Sequence, residues 1–247
     1  MSNERSQEAS TTRLEDADFS GVRLHGPNFE NTVITDGWFL NADFSGDVGG
    51  LRVNGVEVLP LIEAELNRRW PGRASLRATD PKVLTQAWSM LEGIWLSTIS
   101  RAGALPETWL HERVNEEWSF LETLRHLIMA TDCWHGRMIK GEPHPYHAWG
   151  LAGPFLNDPE SLGLDLSATP SLDEVLAVRQ GRFADVGMTI ASLSMSDLER
   201  VCHPPSTPGH PQVPHTVLHC LHVILNEEWE HNRYANRDLD VLVERSR

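Results

Sequence analysis

The chain has 247 residues, of which 40% are hydrophobic and 9 are Trp, enough apolar material for one large core or two small ones. Its 21 Lys and Arg stand against 35 Asp and Glu, a net charge of -14. That balance excludes a basic phosphate-binding surface, so neither nucleic acid nor an anionic membrane is an expected partner. No apolar run approaches the length of a bilayer span, and the opening stretch MSNERSQEASTTRLEDADF lacks the apolar centre of an export signal, so a cytoplasmic protein is expected. Cys133, Cys202 and Cys220 are odd in number and lack CxxC spacing, which points to buried reduced thiols rather than disulfides or a thiolate metal site.

The first element in chain order is a repeat. ADFSG occurs at 17–21 and again at 42–46, and every fifth residue from Leu14 is large and apolar: Leu14, Phe19, Leu24, Phe29, Ile34, Phe39 and Phe44. Two residues before each of these stand mostly small side chains, Ala17, Thr32, Gly37 and Ala42 among them. Neither helical nor strand periodicity yields this spacing, whereas a coil that turns a corner every five residues does. The stretch resembles the pentapeptide-repeat family, and the resemblance implies a short right-handed β-helix with the large side chains inward. So few repeats cannot stand alone, so a stub over 1–54 is expected to pack on a helical domain over 55–247.

The helical part opens with an amphipathic stretch at 56–69, closed by Trp70-Pro71-Gly72. Asp80 followed by Pro81 predicts a helix start, with the apolar pattern running to about Ile99. A third helix is predicted from about Glu116 to Ile139, followed by a Gly- and Pro-rich loop over 141–170. Ser171 and Glu174 form a capping box that launches a helix to about Leu193, and a last long helix runs from about Thr216 to Val243 after a Pro-broken loop. Four long helices imply a bundle, so the fold class is mainly α.

Chemistry concentrates in the last helix. Its apolar stripe, Val217, Leu221 and Ile224, runs into Glu228 and His231 before resuming at Ala235 and Leu239. A buried carboxylate needs a partner, and a metal ion supplies one. Glu227 lies four residues before His231 and Glu228 three, so either can share a face with it; periodicity alone prefers Glu228. His126 sits on an amphipathic partner helix. The face of His222 is offset from His231, and His144, His147, His203, His210 and His215 fall in loops expected to be surface or lid. Tyr146, Trp149 and Phe155 are candidates either to line a pocket or to seal the bundle end.

The pair WSFLETLRHL (118–127) and ILNEEWEHNRY (224–234) resembles the DinB-like superfamily of metal-binding four-helix bundles, over roughly residues 80–245. The resemblance implies His126, Glu227 and His231 as metal ligands, with Glu227 standing where the family's pattern has a histidine. Glu228 and Glu122 then become supporting catalytic residues, Glu122 orienting the His126 imidazole. Zinc is the first expectation; two histidines and a carboxylate also suit iron, and nickel or manganese remain compatible. The implied activity is that of a metal-dependent transferase or hydrolase acting on a small molecule by thiol transfer, isomerisation or hydrolysis, with a low-molecular-weight thiol as co-substrate. The rival reading is a non-catalytic metal-binding or stress-associated protein that uses the repeat stub as a binding surface. A homodimer is compatible with either.

Overall fold

The computed structural model describes residues 14–24, 26–153, 156 and 158–245; Thr12, the first of the small repeat positions, and Phe155 lie outside these. The chain divides into two compact units, Met1–Val48 and Gly49–Arg247.

In the first unit the backbone turns every five residues. Asp16, Gly21, Gly26, Asn31, Asp36, Asn41 and Gly46 all have positive φ, and all are Gly, Asn or Asp, the residues that tolerate the left-handed region. Turn hydrogen bonds from Val22 to Phe19, Thr32 to Phe29 and Ala42 to Phe39 close alternate corners at 3.0–3.2 Å. A side chain at Gly37 would place its Cβ 3.0 Å from the Phe39 ring, which explains the small residue there. The inward expectation is met only in part: the seven ladder positions are 50–69% exposed, against 84–91% for Val33, Trp38 and Leu40. The ladder side is the sheltered one, but so few repeats do not close over it, and no strand forms among the described residues of this unit.

The second unit begins with a hairpin, β1 (Arg52–Val53) and β2 (Val56–Glu57). Asn54 and Gly55 at its tip both have positive φ, as a two-residue type I′ turn requires. Helix α1 (Leu59–Arg69) is tied to the following turn by Glu63, which accepts from Arg73 at 2.7 and 2.9 Å. Four long helices follow. Helix α2 (Pro81–Ala102) starts as predicted, with the Asp80 carboxylate accepting from the amides of Lys82 and Val83. After the short α3 (Glu107–Leu110), α4 (Phe120–Thr131) starts at a Ser119–Glu122 capping box and continues as a π-helical segment over Asp132–Ile139. Helix α5 (Leu172–Ser192) starts at the predicted Ser171–Glu174 box; α6 (Met195–Glu199) is short, and α7 (Val217–Arg245) is the longest.

Helices α2 and α4 each pack against both α5 and α7, so the four form a closed ring around one core. Leu84, Leu91, Val186, Leu221 and Leu225 fill one end of it, and Leu121, Leu124, Leu127, Val175 and Leu239 the other. A two-residue antiparallel pair, β3 (Val201–Cys202) with β4 (His215–Thr216), closes the base of the proline-rich loop. No helix among the described residues is long and apolar enough to cross a membrane.

Candidate metal centre

Two helices supply the centre. The capping box that starts α4 places His126 almost two turns in, where its side chain faces α7 and is buried. On α7, Glu227 and His231 are one turn apart and share the face turned toward His126. Glu227 Oε2 lies 3.3 Å from His126 Nε2 and 3.1 Å from His231 Nε2. One donor atom from each of the three falls within 4.8 Å of the other two. Trp118, just before the capping box, packs at a tilt on His126 with ring centres 4.5 Å apart and lies more nearly parallel to His231 at 6.0 Å.

The protonation pattern makes this cluster unusual. His126 Nδ1 lies 3.0 Å from the Leu151 carbonyl, which can only accept, so Nδ1 carries a proton. In a neutral imidazole Nε2 then presents a lone pair to the Glu227 carboxylate, and two acceptors 3.3 Å apart repel unless a cation joins them. Either a second proton on His126 or a metal ion fills that role. Burial works against the charge on Glu227, but with His126 and His231 as metal-free imidazolium donors their hydrogen bonds and charge pull its carboxyl down to about 2. The Leu151 carbonyl is itself fixed, because the Leu151 amide donates to the Arg125 carbonyl, and the Arg125 guanidinium donates to the carbonyls of Trp149, Asp165 and Ala168.

The donor set fits a divalent metal. An ion bonded at roughly 2.0–2.2 Å to two imidazoles and a carboxylate holds its donors about 3–4 Å apart, the separation found here between Glu227 and each histidine, and a carbonyl orienting the far ring nitrogen is the usual support for such a ligand. A cavity of about 140 Å³ opens directly on the cluster, lined by His126 and Glu227 and otherwise by Met129, Ala130, Cys133, Trp134, Val223 and His210. Burial pushes the Cys133 thiol up, so at the cavity wall it is a neutral apolar group.

The other sequence-derived site residues lie elsewhere. Glu228 is 2% exposed, as the stripe requires, but its carboxylate is taken by Arg179 of α5 at 2.9 and 3.2 Å, so it belongs to an ion pair and not to the cluster. Glu122 closes the capping box on the Ser119 amide at 2.9 Å and pairs with Arg113; the orienting role expected of it toward His126 falls to Leu151. His222 contacts the Ala78 carbonyl at 2.8 Å. Of the loop aromatics, Tyr146 packs on Met129 and Cys133, and the Trp149 carbonyl accepts from Arg125. His210, expected to be surface or lid, lines the cavity. The three cysteines are free and buried.

No curated protein and no solved structure matches the chain. Family sequence profiles do match: pentapeptide repeats over residues 9–49 and the DinB superfamily over residues 90–235, a span that holds His126, Glu227 and His231. The second match covers more than half of the chain, and the protein belongs to the DinB superfamily, with pentapeptide repeats ahead of its helical bundle.

Proposed function

We propose that the protein is a metal-dependent enzyme that acts on a small molecule in the cavity over His126, Glu227 and His231, by thiol transfer, isomerisation or hydrolysis. The observation that carries this reading is that two of the three donors, His126 and Glu227, form part of a cavity wall instead of being sealed in the core. A closed site would indicate a structural metal, and an open one leaves room for a reacting group.

His126 and His231 as neutral imidazoles and Glu227 as a carboxylate would hold the ion, zinc being the first candidate. When bound, a divalent metal supplies Lewis acidity and lowers the pKa of a thiol or water that reaches it. The chain's own residues supply the rest. Glu227 brings one negative charge to the site, so a divalent ion there leaves one positive charge, which favours a singly anionic ligand. Leu151 keeps His126 in the tautomer whose Nε2 is free of a proton, and Trp118 packs beside both imidazole rings. Met129, Ala130, Cys133 and Val223 exclude water around an apolar portion of the substrate.

Protein loaded with zinc, and the same preparation of His231→Ala, would be screened for thiol-dependent consumption of electrophilic and hydrolysable chromogenic compounds. Turnover that needs both the metal and His231 supports the reading. A loaded protein with no turnover across the screen favours the non-catalytic alternative, to which the half-exposed apolar ladder of the repeat unit lends an observation of its own.

A further inference from the structure

A second group of histidines gathers where the proline-rich loop meets α7. His215 and His219 are four residues apart, and their rings stack with centres 4.4 Å apart and planes 10° from parallel. Both meet the Trp134 ring edge-on, at 5.2 and 5.7 Å. His210 meets the same indole from the loop at 5.8 Å. The backbone fixes the pair from both sides: His215 is paired with Cys202 in the β3–β4 ladder, and the His219 amide donates to Thr216 Oγ1 at 3.1 Å. His215 is half-buried and His219 is exposed, so the pair faces solvent. Nothing in the reading of the first centre uses either residue.

We propose that His215 and His219 form a second site, open to solvent, for a first-row divalent ion of the nickel, copper or zinc class. Two imidazole nitrogens bonding one ion at about 2.0–2.1 Å stand at most about 4.2 Å apart. The rings are centred 4.4 Å apart but stacked, so chelation requires the exposed His219 ring to turn out of the stack until its nitrogen faces that of His215. His215 lies in β4 and His219 in the first turn of α7, so it is the strand-to-helix junction that brings the two imidazoles together. An imidazole-only donor set selects this class of ion over magnesium or calcium, which require oxygen ligands. His219 is also held below the ordinary histidine range, by burial and then by the neighbouring charge of His215 and His222, which keeps a lone pair available near neutrality. His222, next along the helix, is engaged by Ala78 and takes no part. Trp134 and His210 flank the pair and also line the cavity over the first centre, so an ion bound here sits on the outer side of that cavity's wall.

Equilibrium dialysis of the full-length protein against nickel, followed by metal analysis, tests the site directly. The unmodified protein should hold two ions, and His219→Gln and His215→Gln one each, with an unchanged melting curve for His219→Gln because His219 is exposed. His231→Gln should also hold one ion, and His219→Gln/His231→Gln none. Affinity at the second site should fall at least about tenfold in each single variant of the pair. Two ions retained in both His219→Gln and His215→Gln would overturn the proposal, as would a single ion in the unmodified protein that disappears with His231→Gln. A single ion that survives His231→Gln and is lost with His219→Gln leaves this site standing and removes the first centre.

Discussion

Adjacent glutamates on α7 meet opposite fates. Glu227 sits between two imidazoles, whereas Glu228, one residue on, points across the bundle to Arg179, whose guanidinium also lies 4.9 Å from the Trp95 ring centre. Removing one partner of a buried ion pair leaves the other charge uncompensated, so Arg179→Met should cost about 3–5 kcal/mol in urea denaturation. Arg179→Met/Glu228→Met should recover most of that loss, since a packed apolar pair can replace a buried ionic one. A single variant as stable as the parent would show that breaking the pair carries no such cost. The sequence stripe correctly marked Glu228 as buried and in need of a partner. It could not say which partner, because Arg179 is 49 residues away and becomes its neighbour only when α5 packs in the ring. Glu227 lies on the flank of the stripe; helical spacing offered it beside Glu228, and the family resemblance chose it.

At the level of elements, helix starts were legible wherever a cap stood in the sequence. Asp80-Pro81 and the Ser171–Glu174 box start helices as their sequences predict, and the Ser119–Glu122 box and the Asn54-Gly55 turn carry equally plain signals. The π-helical turn at Asp132–Ile139 has no comparable signature. Neither do the roles of two buried arginines, Arg125 and Arg137, that hold the loops expected to be lids. Arg137, on the π-helical turn, is 1% exposed and donates to the carbonyls of Pro205, Thr207, Pro208 and Pro211 and to Thr207 Oγ1. It thereby fixes the loop that carries His210 to the cavity. Arg137→Ala leaves those carbonyls without their donor and should cost on the order of 3 kcal/mol. Hydrogen exchange should show loss of protection over residues 205–211 ahead of the bundle helices. Unchanged protection there would mean that the loop is held by its prolines and not by the arginine.

For the whole molecule, composition and periodicity identified a mainly helical protein with an acidic balance, and the five-residue spacing identified the repeat unit; the degree of exposure of its ladder depended on how many coils there are to close over it. The bundle also has a defined response to mild acid. Burial lowers the pKa of His135 and of His147 from the ordinary value of 6.5, so the folded protein resists protons that the unfolded chain accepts. Stability from these groups is intact above about pH 6.5 and is lost as pH falls toward their folded values. The melting temperature of metal-free protein should therefore hold steady from about pH 8 to 7 and decline toward pH 5, less steeply in His135→Gln; a melting temperature that rises over that interval would contradict the assignment. The central claim, that His126, Glu227 and His231 hold one divalent ion, is most directly tested by the visible absorption spectrum of the cobalt(II)-substituted protein beside that of His126→Ala. Intense bands of low-coordinate cobalt should be present in the parent, absent from the variant, and lost as pH falls through the histidine range, because the ligands must be deprotonated to bind. A spectrum no different from cobalt in buffer, or one that survives His126→Ala unchanged, would leave the three side chains as a protonated ion-pair cluster with no metal between them.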